Sequence, residues 1–376
     1  MRKNFSKIIF ICFLILFYNC KKKGENIDNI NTIKSKIKYA QGFDIVYENG
    51  EKKLIIKTAF KNDKTVKKYV ISKNNGQSNT EKIIKTPVKK IIATSTTHIP
   101  MIELLKEETA IIGFPNSEYI SSERTRKLIK EGKIKEIGKE NSLNTEIILD
   151  LQPELVVGYS VSNADKSLTT LQKANINVIY NGDWLEKTPL GRAEWIKFFG
   201  VLFDKEKEAD SIFKVIEKNY LDAKQIATSA KLKPTVLSGA IMSKDIWNLP
   251  AGESFVAQFL KDANLNYLWK DSKGKGSLSL SFEIVFDIGK SADYWIAPGY
   301  FSSKEQLLKS NILYKKFNAF KQNKIFTPTI KKGKTGGIIY YELAGTRPDL
   351  VLKDLIKICN PDLLPDYKLA FFEKML

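Results

Sequence analysis

The sequence predicts an α/β protein built as two lobes, each a mainly parallel sheet covered by helices, with a long helix between them. Three observations predict it. From residue 87 onward, short apolar, β-rich runs alternate with amphipathic helical segments, the pattern of parallel strands buried on both faces. Over residues 188–230 the alternation stops and helical periodicity takes over. From residue 234 the alternation restarts.

The elements follow in order. GFDIVYENGEKKLIIKTAF holds two β-rich runs around Asn49-Gly50, a dipeptide that suits the positive φ angles of a two-residue hairpin. KKYVISKNN adds a third run, so residues 41–73 predict a small antiparallel ribbon, and the extension reaches residue 86. The first lobe, residues 87–187, reads VKKIIAT strand, PMIELLKEE helix, TAIIGF strand, SSERTRKLIKEG helix, LNTEIILDL helix, PELVVGY strand, KSLTTLQKAN helix and INVIYN strand. In residues 188–230, Trp195, Phe198, Phe199 and Leu202 recur at i, i+3, i+4 and i+7, and Ala209, Ile212, Phe213 and Ile216 repeat the spacing. That stripe predicts core packing along one connecting helix. The second lobe, residues 231–376, reads PTVLSGAIM strand, SFVAQFLKDA helix, SFEIVFDIG helix, DYWIAP strand, KEQLLKS and YKKFNAF helices, KIFTPT strand and RPDLVLKDLIKICNP helix. Pro348 sits in the first turn of that last helix, where its missing N–H costs nothing.

The N-terminus is of a different kind. MRKNFSK is basic, IIFICFLILFY is an apolar run of 11 residues, and Cys20 closes it. A membrane span needs about 20 apolar residues, so the run has the length of a signal peptide. Residues 1–19 are expected to be cleaved and Cys20 to carry lipid, although Tyr18 and Asn19 are larger than the residues usual before a lipidated cysteine. Residues 20–40, rich in lysine, predict a tether. Of the three cysteines, Cys12 leaves with the signal and Cys20 is lipidated, so Cys359 is alone and reads as a buried apolar residue.

Charge is lopsided: 61 Lys+Arg against 42 Asp+Glu give a formal +19. The lysines are spread along the whole chain, there are only five arginines, and no RNA- or DNA-binding motif occurs, so no nucleic-acid role is expected. His98, in TSTTHIP, is the single histidine. A site for bare zinc or manganese needs a cluster of histidines with carboxylates, which this chain lacks. A hydrolase would have to use His98, yet GxSxG, GxGxxG and Walker A are absent and His98 comes early, so no catalytic residues are expected.

Several stretches, in order, resemble the solute-binding lipoproteins of ABC importers for metal chelates, the class that takes iron–siderophores, haem and vitamin B12. They are VKKIIATSTTHIPMIELL, GKENSLNTEIILDLQPELVVGYS, LQKANINVIYN, PAGESFVAQFLKDANLNYLW, SLSLSFEIVFDIGKSADYWI and GTRPDLVLKDLIKICNPDLLP, spanning about residues 87–366. The added ribbon resembles Bacteroidota-type members. The resemblance implies a class III periplasmic binding protein: two Rossmann-like lobes facing across a cleft, joined by a helix that resists hinge motion. It implies a lipid-anchored periplasmic monomer that hands its chelate to a permease and ATPase, with no resident cofactor, since any metal arrives inside the ligand.

The resemblance also implies docking glutamates on the two lobe tips. Here they are Glu146 in LNTEIILDL and Glu283 in LSFEIVFDIG, each in a helical first turn with Thr145 or Ser281 as cap. Ligand contacts are expected from the loops after the strands: Thr96, Thr97 and His98; Asn116 and Tyr119; Tyr159; Trp184; then Trp247, Tyr300, Tyr340, Tyr341 and Arg347 from the second lobe. Asp183 and Glu342 are further polar candidates. The aromatics suit a large flat ligand, Arg347 and the net charge suit an anionic chelate, and a tyrosine or His98 could serve haem as axial ligand.

Overall fold

The computed structural model describes residues 37–48, 51–74, 82–140, 142–161 and 165–376. The signal segment, Cys12, Cys20 and most of the tether fall outside the described residues.

Four strands open the fold: β1 (Phe43–Glu48), β2 (Glu51–Ile56), β3 (Lys67–Ser72) and β4 (Lys82–Lys85), hydrogen-bonded in that order. Glu48 lies opposite Glu51, the register a two-residue hairpin requires. The ribbon is not wholly antiparallel, because β3 and β4 run parallel. Nor is it an appendage. Phe43, Leu54, Ile56, Tyr69, Ile71 and Ile84 are buried in the same core as the first lobe, and the Phe43 ring packs 4.5 Å from that of Trp195. The chain is tied into the fold from residue 38, within the expected tether. The buried Glu194 carboxylate accepts the amides of Lys38, Tyr39 and Ala40 at 2.6–3.0 Å, and buried Glu186 accepts those of Gln41 and Gly42. Backbone donors held on buried carboxylates make strong, well-aligned bonds.

The N-lobe sheet is formed by β5 (Ile91–Ala93), β6 (Ile111–Phe114), β7 (Lys135–Glu136), β10 (Leu155–Gly158) and β11 (Val178–Tyr180), all parallel, in the order β11-β10-β5-β6-β7. A small hairpin, β8 (Gly138–Lys139) with β9 (Ser142–Leu143), projects from it. Helices α1 (His98–Leu104), α2 (Glu123–Lys130), α3 (Thr145–Leu151) and α4 (Lys166–Lys173) supply the crossovers.

Two shorter helices, α5 (Pro189–Ala193) and α6 (Ile196–Leu202), precede the expected long connecting helix, α7 (Glu206–Thr228), in the same stretch, and the chain breaks at Asp204, which takes φ +57°. Glu206 and Glu208 in the first turn of α7 favour the restart through the helix dipole. α7, 23 residues long, spans both cores: Ala209, Phe213 and Ile216 pack in the N-lobe, Tyr220, Ala223 and Ala227 in the C-lobe. The hydrophobic stripe therefore joins the lobes by burial on both sides.

The C-lobe contains β12 (Thr235–Ser238), β13 (Ala240–Ser243), β14 (Ile246–Pro250), α8 (Phe255–Asp262), β15 (Asn266–Tyr267), β16 (Ser277–Ser281), α9 (Phe282–Gly289), β17 (Tyr294–Ile296), α10 (Lys304–Ser310), α11 (Asn318–Lys321), β18 (Ile325–Thr327), α12 (Ile339–Leu343), α13 (Pro348–Cys359) and β19 (Glu373–Lys374). Its main sheet runs β15-β12-β17-β18-β19, parallel except at the β19 edge. PTVLSGAIM is two strands. Gly239 between them has φ +77°, and a Cβ there would meet the Asn248 carbonyl oxygen at 1.9 Å, so β13 turns away to pair with β14 in a second, antiparallel sheet, β13-β14-β16. YKKFNAF is a 3₁₀ turn followed by the short α11. Cys359 is a free, buried thiol, which burial pushes up out of its ordinary range.

Candidate functional site

Parallel strands end on one side, so the loops that follow them converge. After β5, β6, β10 and β11 these loops form one wall of a cavity of about 670 Å³ between the lobes. Ser95, Thr96 and Thr97, then Pro115, Asn116 and Tyr119, then Tyr159, then Asp183 and Trp184 line it from the N-lobe. Tyr300, Gly336, Ile338 and Tyr341 face them from the C-lobe, with Glu140 and Arg192 completing the lining.

The aromatic walls come in pairs. The Tyr159 and Trp184 rings meet edge-on at 6.1 Å, and Tyr300 and Tyr341 lie 6.1 Å apart across the cavity's C-lobe side. The Tyr159 amide donates to Thr94 Oγ1 at 2.9 Å, which holds the loop after β10 against that after β5. Asn116 takes the left-handed φ +47°, and its Oδ1 accepts the Glu140 amide at 2.9 Å, tying the β8–β9 hairpin to the rim. Burial, and next Asp165, push the Glu140 carboxyl up from its ordinary value. The Ser95 and Thr97 hydroxyls do not cap α1. They bond each other at 3.0 Å.

Polar atoms without partners gather on the wall. Asp183 is 1% exposed, and neither carboxylate oxygen has a hydrogen-bond partner. Trp184 Nε1 and Arg192 Nε are likewise buried and unpaired. The Arg192 guanidinium lies over the Phe255 ring at 4.5 Å, so the one arginine on this wall is fixed between the lobes.

A strap closes one side. Residues 331–338 form a tight turn bridged between Lys332 and Ile338, and it presses on the N-lobe segment 117–122. Thr335 Oγ1 donates to the Glu118 carbonyl at 2.7 Å. Gly337 passes so close that a Cβ would sit 2.1 Å from the Tyr119 carbonyl oxygen. Behind it, buried Glu342 on α12 accepts the amides of Ser121 and Ser122 at 2.5 and 3.0 Å. Glu342 is thus an interlobe clasp rather than a ligand contact, and burial pushes its carboxyl up.

The structure brings Thr96, Thr97, Asn116, Tyr119, Tyr159, Trp184, Tyr300 and Tyr341 to this cavity and places four other expected contacts elsewhere. His98 is the first residue of α1 and points into the core, fully buried, with its ring 5.5 Å from that of Phe199. Burial pushes its imidazole down to about 4, with Asp183 opposing. It can be neither haem ligand nor surface base. Trp247 is fully buried, stacked on Trp295 at 5.3 Å, and its Nε1 donates to the Ser238 carbonyl. It lies on an inward position of β14, not in a loop. Tyr340 lines a neighbouring cavity of about 280 Å³, which shares Arg192 and Tyr341 with this one. Arg347 forms a two-pronged pair with buried Asp349, both contacts 2.9 Å, so its charge is used inside the C-lobe.

Glu146 and Glu283 both stand exposed in helical first turns. The caps are Asn144, whose side chain accepts the Ile147 amide, and Ser281, which accepts that of Ile284. Thr145 is not the cap. Beside each glutamate an isoleucine is left in solvent, Ile147 at 37% and Ile284 at 48% exposed. Among the described residues no group of His, Cys, Asp and Glu could hold a metal ion, and no helix is long and apolar enough to cross a membrane.

Residues 91–332 match the family described as periplasmic binding protein. An uncharacterized lipoprotein of Methanocaldococcus jannaschii is 25% identical over 99% of this chain and 96% of its own length. A periplasmic haem-binding protein from Pseudomonas aeruginosa superposes with a TM-score of 0.57 at 16% identity, covering 77% of this chain and 98% of that one. The triscatecholate siderophore binding protein FeuA from Bacillus subtilis, complexed with ferri-bacillibactin, gives 0.55 at 16% identity, covering 73% and 94%. At that identity the structures establish the shared two-lobed fold.

Proposed function

The chain belongs to the periplasmic binding protein family, and we propose that it is the substrate-binding lipoprotein of an ABC importer, capturing an iron–siderophore-type chelate between its lobes. The carrying observation is the cavity of about 670 Å³ walled by Tyr159 and Trp184 on one side and Tyr300 and Tyr341 on the other. Paired aromatic walls with polar side chains between them suit a large ligand whose metal is already wrapped. The family consists of non-enzymatic solute binders, and the burial of His98 leaves the cavity no histidine base.

The remaining parts fit delivery. Glu146 and Glu283, one on each lobe, meet arginines of the permease, and the exposed Ile147 and Ile284 add apolar contact beside each charge. Rim charges of this kind give orientation and on-rate more than affinity. Cys20 carries the lipid that holds the protein at the envelope membrane. The lipoprotein relative, which spans nearly the whole chain, supports that reading. A haem or cobalamin ligand is the alternative, favoured by the four tyrosines lining the cavity, Tyr119, Tyr159, Tyr300 and Tyr341, since tyrosinate can hold ferric haem iron.

Tryptophan fluorescence titrated with ferric siderophores, haemin and cobalamins tests the reading. Saturable 1:1 quenching that disappears in Trp184→Phe is the expected result. A chain that responds to none of them does not have this function.

A further inference from the structure

The chain is strongly basic, yet the cavity is not. Among its described lining residues stand two carboxylates, Asp183 and Glu140, and one guanidinium, Arg192, for a formal charge of −1. No lysine lines it. Asp183 is the unusual member: 1% exposed, with both carboxylate oxygens unpaired. A buried carboxylate without partners is costly. His98, whose imidazole feels the Asp183 carboxylate, is itself fully buried and unpaired and supplies no counter-charge at neutral pH. Two donors nearby, Trp184 Nε1 and Arg192 Nε, also lack acceptors. The residues that carry this unmet acceptor and these two unmet donors all line the same cavity, with the atoms themselves closed off from solvent in the unliganded protein.

Resting on the functional reading above, we propose that the cleft selects a chelate of zero or positive net charge. Its outer shell presents an ammonium, N–H or O–H donor to Asp183 and an acceptor oxygen to Trp184 and Arg192. A ligand of this kind completes all three groups at once. A tris-catecholate complex, carrying three negative charges and only acceptors on its rim, leaves Asp183 desolvated against like charge, and the two propionates of haem do the same.

The test titrates four probes: a ferric trihydroxamate bearing a pendant ammonium, a neutral cyclic ferric trihydroxamate, a ferric tris-catecholate and haemin. Each is run against the full chain and its Asp183→Asn variant. The ammonium-bearing or neutral trihydroxamate should bind at least about tenfold more tightly than either anionic probe. Asp183→Asn should weaken the ammonium-bearing probe by about tenfold or more, the scale of one hydrogen bond to a charged group. Asn keeps the shape and removes an unpaired buried charge, so the unliganded variant should melt no lower than the parent. That combination of lost binding with retained or raised stability marks a group kept for a ligand. Preferred binding of an anionic probe overturns the charge selection while leaving the transport reading intact, and so does binding of the ammonium-bearing probe that Asp183→Asn leaves unchanged. Silence with all four probes overturns the charge selection, and silence with cobalamins as well removes the transport reading.

Discussion

His98 gives the sharpest stability prediction. Its imidazole is fully buried, and burial pushes its pKa from 6.5 down to about 4. The unfolded chain takes up a proton near 6.5, while the folded chain refuses it until about pH 4. Between those values the unfolded state binds more protons, so stability falls as pH drops. At about 1.4 kcal/mol per pH unit, this window is worth about 3 kcal/mol, fully present above pH 6.5 and lost by pH 4. His98→Leu, close in volume and unable to titrate, removes that slope. Urea unfolding of both proteins at pH 7, 5.5 and 4.5 reads it directly, and carboxylate titrations common to the two cancel in the difference. The parent should lose about 2.5 kcal/mol relative to the variant between pH 7 and 4.5. The same variant should bind ligand as the parent does. Equal pH dependence in both proteins would refute a buried neutral histidine, and lost ligand binding at full stability would return His98 to the cleft.

Three other outcomes follow from the geometry. Trp247→Ala should cost about 3–5 kcal/mol of stability, as large-to-small changes in a packed core do, because Trp247 stacks on Trp295 and packs against Tyr314 and Phe317; a melting curve checks it, and a stable variant with impaired ligand binding would place the ring in the site after all. Glu342→Ala strips the acceptor from the Ser121 and Ser122 amides, bonds worth about 1.5–3 kcal/mol each when the acceptor is charged, so hydrogen exchange at those two amides should speed up well before the rest of α2 responds. Replacing Glu146 and Glu283 together by Ala should leave chelate affinity and melting temperature unchanged and abolish uptake in a reconstituted importer; normal uptake would remove them from the docking surface.

Much of this is legible in the chain because parallel α/β folds announce themselves twice. Buried strands such as Ile91–Ala93 and Leu155–Gly158 are apolar throughout, and the loops after them hold the site. That rule alone points to Tyr159, Trp184, Thr96 and Asn116. It misplaces residues wherever local geometry sends a side chain the other way. His98 begins a helix whose first turn faces inward, while Thr97, one residue earlier, stays at the cavity. Trp247 sits in β14, where every second residue is buried, and the alternation of SLSLS in its antiparallel partner β16 is the available signal for such a sheet. Arg347 looks like a ligand cation until Asp349, two residues on, is recognised as its buried partner. Arg192 escapes the rule because it lies in the stretch that reads as a connector, and only the break into α5, α6 and α7 turns it toward the cleft. The strap over residues 331–338 reads as a loop. Nothing local says that Gly337 meets Tyr119 in the other lobe.

The central claim is that one ligand touches both lobes at once. Equilibrium binding of the chelate selected by fluorescence, measured on Trp184→Ala, Tyr341→Ala and the double variant, tests it most directly. Trp184 lies on the N-lobe wall and Tyr341 on the C-lobe wall of the same cavity. Each single change should weaken binding by about tenfold or more, the scale of removing one aromatic ring from a packed site, with melting temperatures close to the parent's. The double variant should be weaker than either. Saturable 1:1 binding that survives the double change at parental affinity would contradict an interlobe site.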